Sequence, residues 1–259
     1  MKTLLCTLAI AGSLLAVNPA EAKTVSHHHD SCDISLNYDV TAKPQLLSVA
    51  EDSVERYRIE GDKLFVDGKQ VKLNNEQREL VAQYRQGVTE QLPKIIGLVD
   101  DAMDIASDAV GNALKPLLGE EGTSKLNQSL ENLHTRLNDL AYHRGDVYYV
   151  GASEKSLDAA FNDEFSEEIE QVVMSSMGSI LMNIGKSMMN GDTEALGAKL
   201  DRMGEEIEAR VDAKSKVLER HADELCQSFE QLQVTEQQLQ QQIPELAKYT
   251  LIAGASNKQ

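Results

Sequence analysis

The chain has 259 residues and a formal net charge of −17 at pH 7, with 42 Asp and Glu against 25 Lys and Arg. An acidic excess of this size argues against nucleic acid and anionic lipid head groups as partners, because both are bound through basic patches. With no Trp and 4% aromatic residues, a sugar-stacking platform or an aromatic-lined pocket is not expected either.

The first 22 residues read as a secretory signal peptide. Lys2 is its basic start, Leu4 to Val17 its apolar segment, and Ala20-Glu21-Ala22 a small-x-small cleavage site. Cleavage after Ala22 removes Lys2 and Glu21, so the net charge stays at −17. The apolar run is too short to span a membrane. Cys6 comes too early to be a lipoprotein cysteine, and Cys32 follows His29-Asp30-Ser31 rather than small residues. A periplasmic protein that is not an integral membrane protein is therefore expected. Removing Cys6 leaves Cys32 and Cys226, an even pair that reads as a disulfide in an oxidising compartment; two free buried thiols are the alternative.

Residues 23–31 read as a flexible N-terminus. His27, His28 and His29, with Asp30 and Asp33, have the donor types for Zn²⁺ or Ni²⁺. Nothing in the surrounding sequence fixes their geometry, so no metal and no cofactor is expected there.

Residues 32–73 read as a small antiparallel sheet. Ile34, Leu36, Tyr38 and Val40 alternate with polar residues as one strand with a buried face. Leu46 to Val49, Arg56 to Ile59, Lys63 to Val66 and Lys69 to Leu73 follow. Gly61-Asp62 and Asp67-Gly68 lie between them as hairpin turns.

Residues 74–253 read as helical. Asn74 or Asn75 caps the first helix, and Pro93 inside it predicts a kink or break, because proline cannot donate to the Thr89 carbonyl. Pro116 and Gly119 end that helix. Ser124 is placed as the cap of a second, which ends near Gly145 in a left-handed C-cap. Val147 to Val150 is a strand or an ordered loop, and helical spacing resumes at Ser153. From Thr193 the stripe Leu196, Leu200, Met203, Ile207, Val211, Lys214, Leu218, His221, Leu225, Phe229, Leu232, Glu236, Leu239, Ile243 takes 13 steps over 47 positions, a mean near 3.6. That period is a straight α-helix with one apolar stripe, about 75 Å long at ~1.5 Å per residue. Pro244 ends it, Lys248 to Ile252 is a strand or a strap, and 254–259 reads as a mobile tail.

Val172 to Met189 is the least polar stretch outside the leader. It holds five of the eight Met residues, one charge (Lys186), and Gly178 and Gly185 seven apart. One reading is a buried central helix, with glycines allowing close approach and Met filling gaps. The other is an adaptable surface, through Met174, Met177, Gly178, Leu181, Met182, Gly185 and Met188, for a partner helix, an unfolded chain or a lipid tail.

The chain contains no Gly-x-Ser-x-Gly, His-Glu-x-x-His, Gly-rich phosphate loop or Cys-x-x-Cys. Glu131 with His134 reads as a solvated helix pair. No enzymatic activity is expected.

The phrase DGKQVKLNNEQRELVAQYRQ, within the span Leu64 to Pro93, and Gly178-Ser179-Ile180-Leu181 resemble the YggN family of exported proteobacterial proteins, a domain of unknown function. The resemblance covers most of the mature chain. It implies a periplasmic location and a Cys32–Cys226 pairing, and brings no activity, substrate or catalytic residue with it.

The fold expected is α+β and mostly α: a small N-terminal antiparallel β-meander, then an elongated antiparallel helical bundle with one very long C-terminal helix. The function expected is a binding, scaffold or chaperone-like module of the cell envelope. Its partner would be an envelope protein or a second copy of the chain. A carrier of lipid or an apolar small molecule between helices is the alternative, and a metal-binding protein using the His cluster the second.

Overall fold

The computed structural model describes residues 32, 34–109, 115–161, 167–174, 177–178, 181–182 and 193–254, all within the compact unit that begins at Cys32. The leader and His27 to His29 lie outside the described residues.

Residues expected to form one strand from Ile34 to Val40 form two, in different sheets. β1 (Ser35–Leu36) pairs with a strand at the other end of the chain, while β2 (Asp39–Lys43) opens the main sheet. Asn37 separates them: its backbone N–H donates to the Leu251 carbonyl at 2.9 Å, and its side chain to the Thr250 carbonyl at 2.9 Å.

From β2 the chain meanders through β3 (Leu46–Glu51), β4 (Val54–Glu60), β5 (Lys63–Val66) and β6 (Lys69–Gln70), every pairing antiparallel. Apolar residues at period two place Val40, Ala42, Leu47, Val49, Tyr57, Ile59, Leu64 and Val66 on one face, all buried. Asp67 and Gly68, both at positive φ, turn β5 into β6.

The sheet has two further strands, drawn from within the helical part of the sequence. β7 (Ala141–Arg144) and β8 (Val147–Val150) extend it beyond β2, giving the order β6-β5-β4-β3-β2-β8-β7. Val147 to Val150 is thus a strand: Val150 pairs with Val40 and is buried, which covers the open edge of β2. Gly145, at φ 65°, lies in the hairpin turn rather than in a helix cap. His143 stacks across that hairpin on Tyr148 at 4.1 Å.

Helix α1 (Asn75–Ala109) is capped by Asn74. Asn74 Oδ1 accepts from the Gln77 N–H at 2.8 Å, and Gln77 Oε1 accepts from the Asn74 N–H at 2.9 Å. Of the kink or break expected at Pro93, no break occurs: α1 is continuous through it. Pro93 is exposed, while Val88 and Leu92 anchor the opposite side in the core, so tertiary packing holds the helix across the missing bond.

Helix α2 (Lys115–Leu140) starts nine residues before Ser124, which is therefore not its cap, and it ends at Leu140 rather than near Gly145. It kinks at Gly119 (φ 71°, ψ −178°), where the Thr123 hydroxyl donates to the Gly119 carbonyl at 2.7 Å. Helix α3 (Glu154–Ala160) is capped by Ser153, whose hydroxyl accepts from the Ser156 N–H at 3.3 Å. The buried Asp39 carboxylate holds this corner by accepting the Ala152 and Ser153 N–H groups, both at 2.9 Å.

The long helix is α4 (Thr193–Gln242), 50 residues. It runs antiparallel to α1. Gln77 donates to the Gln242 carbonyl, Gly87 abuts Leu232, His221 lies 3.5 Å from Asp101, and Lys214 pairs with Asp108. The C-terminal part of its stripe enters the core: Phe229, Leu232, Leu239 and Ile243 are buried with Val81, Tyr84, Val88 and Leu92 of α1 and the inner face of the sheet.

After a 3-10 turn over Pro244–Leu246 the chain returns along α4 as a strap. It ends in β9 (Ile252–Ala253), antiparallel to β1. Leu251 and Ile252 are fully buried. Gly254, expected in the mobile tail, is buried against the Gln233 side chain; residues 255–259 lie outside the described residues.

Candidate functional site

The sequence between Val172 and Met189 sits where a helical stretch leaves α2. Residues 167–174, 177–178 and 181–182 are helical. One side packs: Val172 is buried, and Glu168 pairs with Arg136 of α2 at 2.9 Å. On a helical wheel at ~100° per residue, Val173, Met174, Met177 and Leu181 fall in one sector opposite Glu168 and Val172, and Met182 falls outside it. Their exposures are 52%, 62%, 51%, 68% and 60%, so at these positions the stretch is not a buried central helix. Gly178 has nothing within 4 Å of an added Cβ, so it serves no close helix approach. Gly185 and Met188 lie outside the described residues. Glu167 and Glu170, both exposed, precede the arc by one turn on the same side.

Between α2 and this stretch lies a groove of about 670 Å³, lined by Lys125, Gln128, Asn132, Gln171, Val172 and Met174 among others. Its lining residues are mostly of polar type, with Val172 and Met174 the apolar ones. Glu131 is exposed and His134 half-buried on α2. Among the described residues no three His, Cys, Asp or Glu side chains converge as a metal site.

Cys32 and Cys226 form the disulfide, with Cα atoms 5.8 Å apart and 194 positions between them in sequence. It fastens the chain just before β1 to α4. Because β9 lies between β1 and α4, the bond also closes over the strap.

A second site was not legible as one. Glu236 occupies a stripe position of α4 between Leu232 and Leu239, and it is 4% exposed. Its Oε1 accepts the Leu251 N–H at 2.6 Å and its Oε2 the Ile252 N–H at 2.9 Å. Burial pushes its carboxyl up to about 7; those two bonds and Tyr84 pull the other way but are outweighed. Tyr57 and Tyr84 are buried beside it, and burial raises both phenols well above their usual range. The Tyr84 hydroxyl interacts with Tyr57 and Glu236 yet closes no hydrogen bond of ordinary geometry. The signal available in sequence was the carboxylate itself, standing at a position the period assigns to an apolar side chain.

Among the described residues no helix is long and apolar enough to cross a membrane. No curated protein and no solved structure matches the chain. A family model described as "protein of unknown function (DUF2884)" matches residues 32–252, from the first disulfide cysteine to the strap, and the chain belongs to that family.

Proposed function

We propose that this chain is an exported, non-catalytic interaction protein of the cell envelope, and that its Met-rich helical face takes an apolar partner. The observation that carries this reading is the arc of Val173, Met174, Met177 and Leu181, each more than half exposed on a helix whose other side packs on α2. Contiguous apolar surface of this kind marks a partner site more often than idle surface. Unbranched Met side chains adapt to varied apolar shapes.

Glu167 and Glu170 flank the arc, and the whole chain carries −17. The partner this chemistry fits is a basic amphipathic helix, with its apolar face on the Met arc and its Lys or Arg rim against the glutamates. The leader sequence, with cleavage after Ala22, and the resemblance to the YggN family support a periplasmic setting, and the disulfide suits one. We read the helices α1, α2 and α4 as an elongated antiparallel bundle built along α4, with the Met arc on its outside.

A carrier of lipid or an apolar small molecule has weaker support. The groove beside the arc mixes Lys125, Gln128, Asn132 and Gln171 with Val172 and Met174, which is not the mostly apolar lining a carrier needs.

A photo-reactive side chain placed at Met177 and irradiated in the intact envelope tests the reading. The same label at Val54, an equally exposed apolar position on β4, is the control. A Met177-specific adduct with a polypeptide through a Lys- or Arg-rich segment is expected. Adducts only with lipid would favour the carrier, adducts only with a second copy would favour self-association, and equal labelling at Val54 would remove the reading.

A further inference from the structure

The Glu236 carboxyl sits where three parts of the molecule meet. The sheet reaches it through Tyr57 of β4, α1 through Tyr84, and the strap through the Leu251 and Ile252 N–H groups. The phenol of Tyr38, between β1 and β2, also feels its charge. All three ionisable neighbours are phenols, and a phenol supplies no positive charge. Tyr249, at the start of the strap, turns to Tyr38 and to Asp67, where its hydroxyl donates to Oδ1 at 2.5 Å; Lys248 pairs with the same carboxylate.

We propose that Glu236 is a proton-dependent latch on the C-terminal strap, closed when the carboxyl is protonated and loosened when it ionises. As the acid, the group keeps its oxygens toward the two strap amides, and its proton goes to the oxygen of the Tyr84 hydroxyl beside it. As the anion, it holds a charge in a site that is 4% exposed with no cation from the residues that surround it. Opening the strap lets water reach that charge. Among the described residues the strap's one strand partner is the two-residue β1, so it can open without breaking the seven-stranded sheet.

The sign follows from linkage. The closed state holds the proton up to about pH 7, whereas a carboxyl exposed by opening returns to its ordinary 4.5. Opening therefore becomes easier as pH rises through the range 4.5 to 7, by up to tenfold per unit and about 300-fold between the plateaus below and above that range.

Amide hydrogen exchange by NMR reads this directly on the full mature chain. The protection factors of Leu251 and Ile252, corrected for intrinsic exchange and compared with buried Val88 of α1, should fall about 80-fold between pH 4.5 and 7 and level off above pH 8. In Glu236→Gln the same ratio should be flat across that range. Flat protection in the unmodified chain, or an unchanged slope in Glu236→Gln, would overturn the latch. If the variant does not fold, the carboxyl ¹³C resonance of Glu236 in the unmodified chain decides: a midpoint near 7 supports the latch and one near 4.5 overturns it.

Discussion

At the scale of single residues, Glu236 makes the sharpest contribution to how this protein responds to its surroundings. Its raised carboxyl contributes stability that is fully present below about pH 4.5 and lost as pH rises through about 7. At ~1.4 kcal/mol per unit that is about 3 kcal/mol, a large share of the net stability of a typical domain. Asp67 acts in the opposite sense. Hydrogen bonds from Lys248 and Tyr249 hold its carboxyl below the usual value, so its contribution is lost as pH falls, at the acid end. Chemical denaturation across pH should therefore find the protein more stable at pH 5 than at pH 8, with the difference removed in Glu236→Gln. The contrast with Met177 shows how much a residue's type leaves open. The Met and Gly content of 172–189 was visible in sequence, but whether those residues face inward depends on which side meets α2. That side is set by Val172 and by the Glu168–Arg136 pair, 32 positions apart, and no local period contains it.

At the scale of elements, the strands of the meander were legible because an alternating pattern with Asp-Gly between runs admits one register. The division at Asn37 was not, because its cause is a contact with residues 250 and 251 at the other end of the chain. Of the β7–β8 hairpin, Val147 to Val150 was legible as a strand or an ordered loop, but β7 was missed for a similar reason. Ala141 to Arg144 follows α2 without a breaker, and it becomes a strand by pairing with β8, which itself takes the edge of β2. Pro93 is a case in which a local rule yields to packing. It is exposed in a continuous helix and leaves the Thr89 carbonyl without its N–H donor, so Pro93→Ala should raise stability by about 1–3 kcal/mol in a thermal or denaturant melt. A fall in melting temperature would mean that the ring has a packing role. The disulfide closes a long loop, and its removal by Cys32→Ser with Cys226→Ser should cost about 2–5 kcal/mol. Exchange should rise first at Leu36 and Ile252, the β1–β9 pair that the bond backs, ahead of the α1 amides.

At the scale of the whole molecule, one core joins the inner face of the sheet, the first turns of α1, the last turns of α4 and the strap. The remainder of α4, in a helix about 75 Å long, reaches beyond that core. The stripe of α4 was legible over its full length; Phe229, Leu232, Leu239 and Ile243 of it are buried where α1, the sheet and the strap meet it. The Met arc lies away from this core, on a helical stretch that packs on α2. That arrangement fits a protein whose stable end carries a separate docking face, and the account depends on the face being open in the unbound chain. Methionine oxidation measures this directly. In a peroxide time course followed by peptide mass spectrometry, Met103, 6% exposed on α1, serves as the internal buried standard. Met174, Met177 and Met182 should convert to sulfoxide well ahead of Met103 in the isolated protein. Oxidation of these three no faster than Met103 would mean that the face is covered within the chain itself, and the proposed docking surface would not exist.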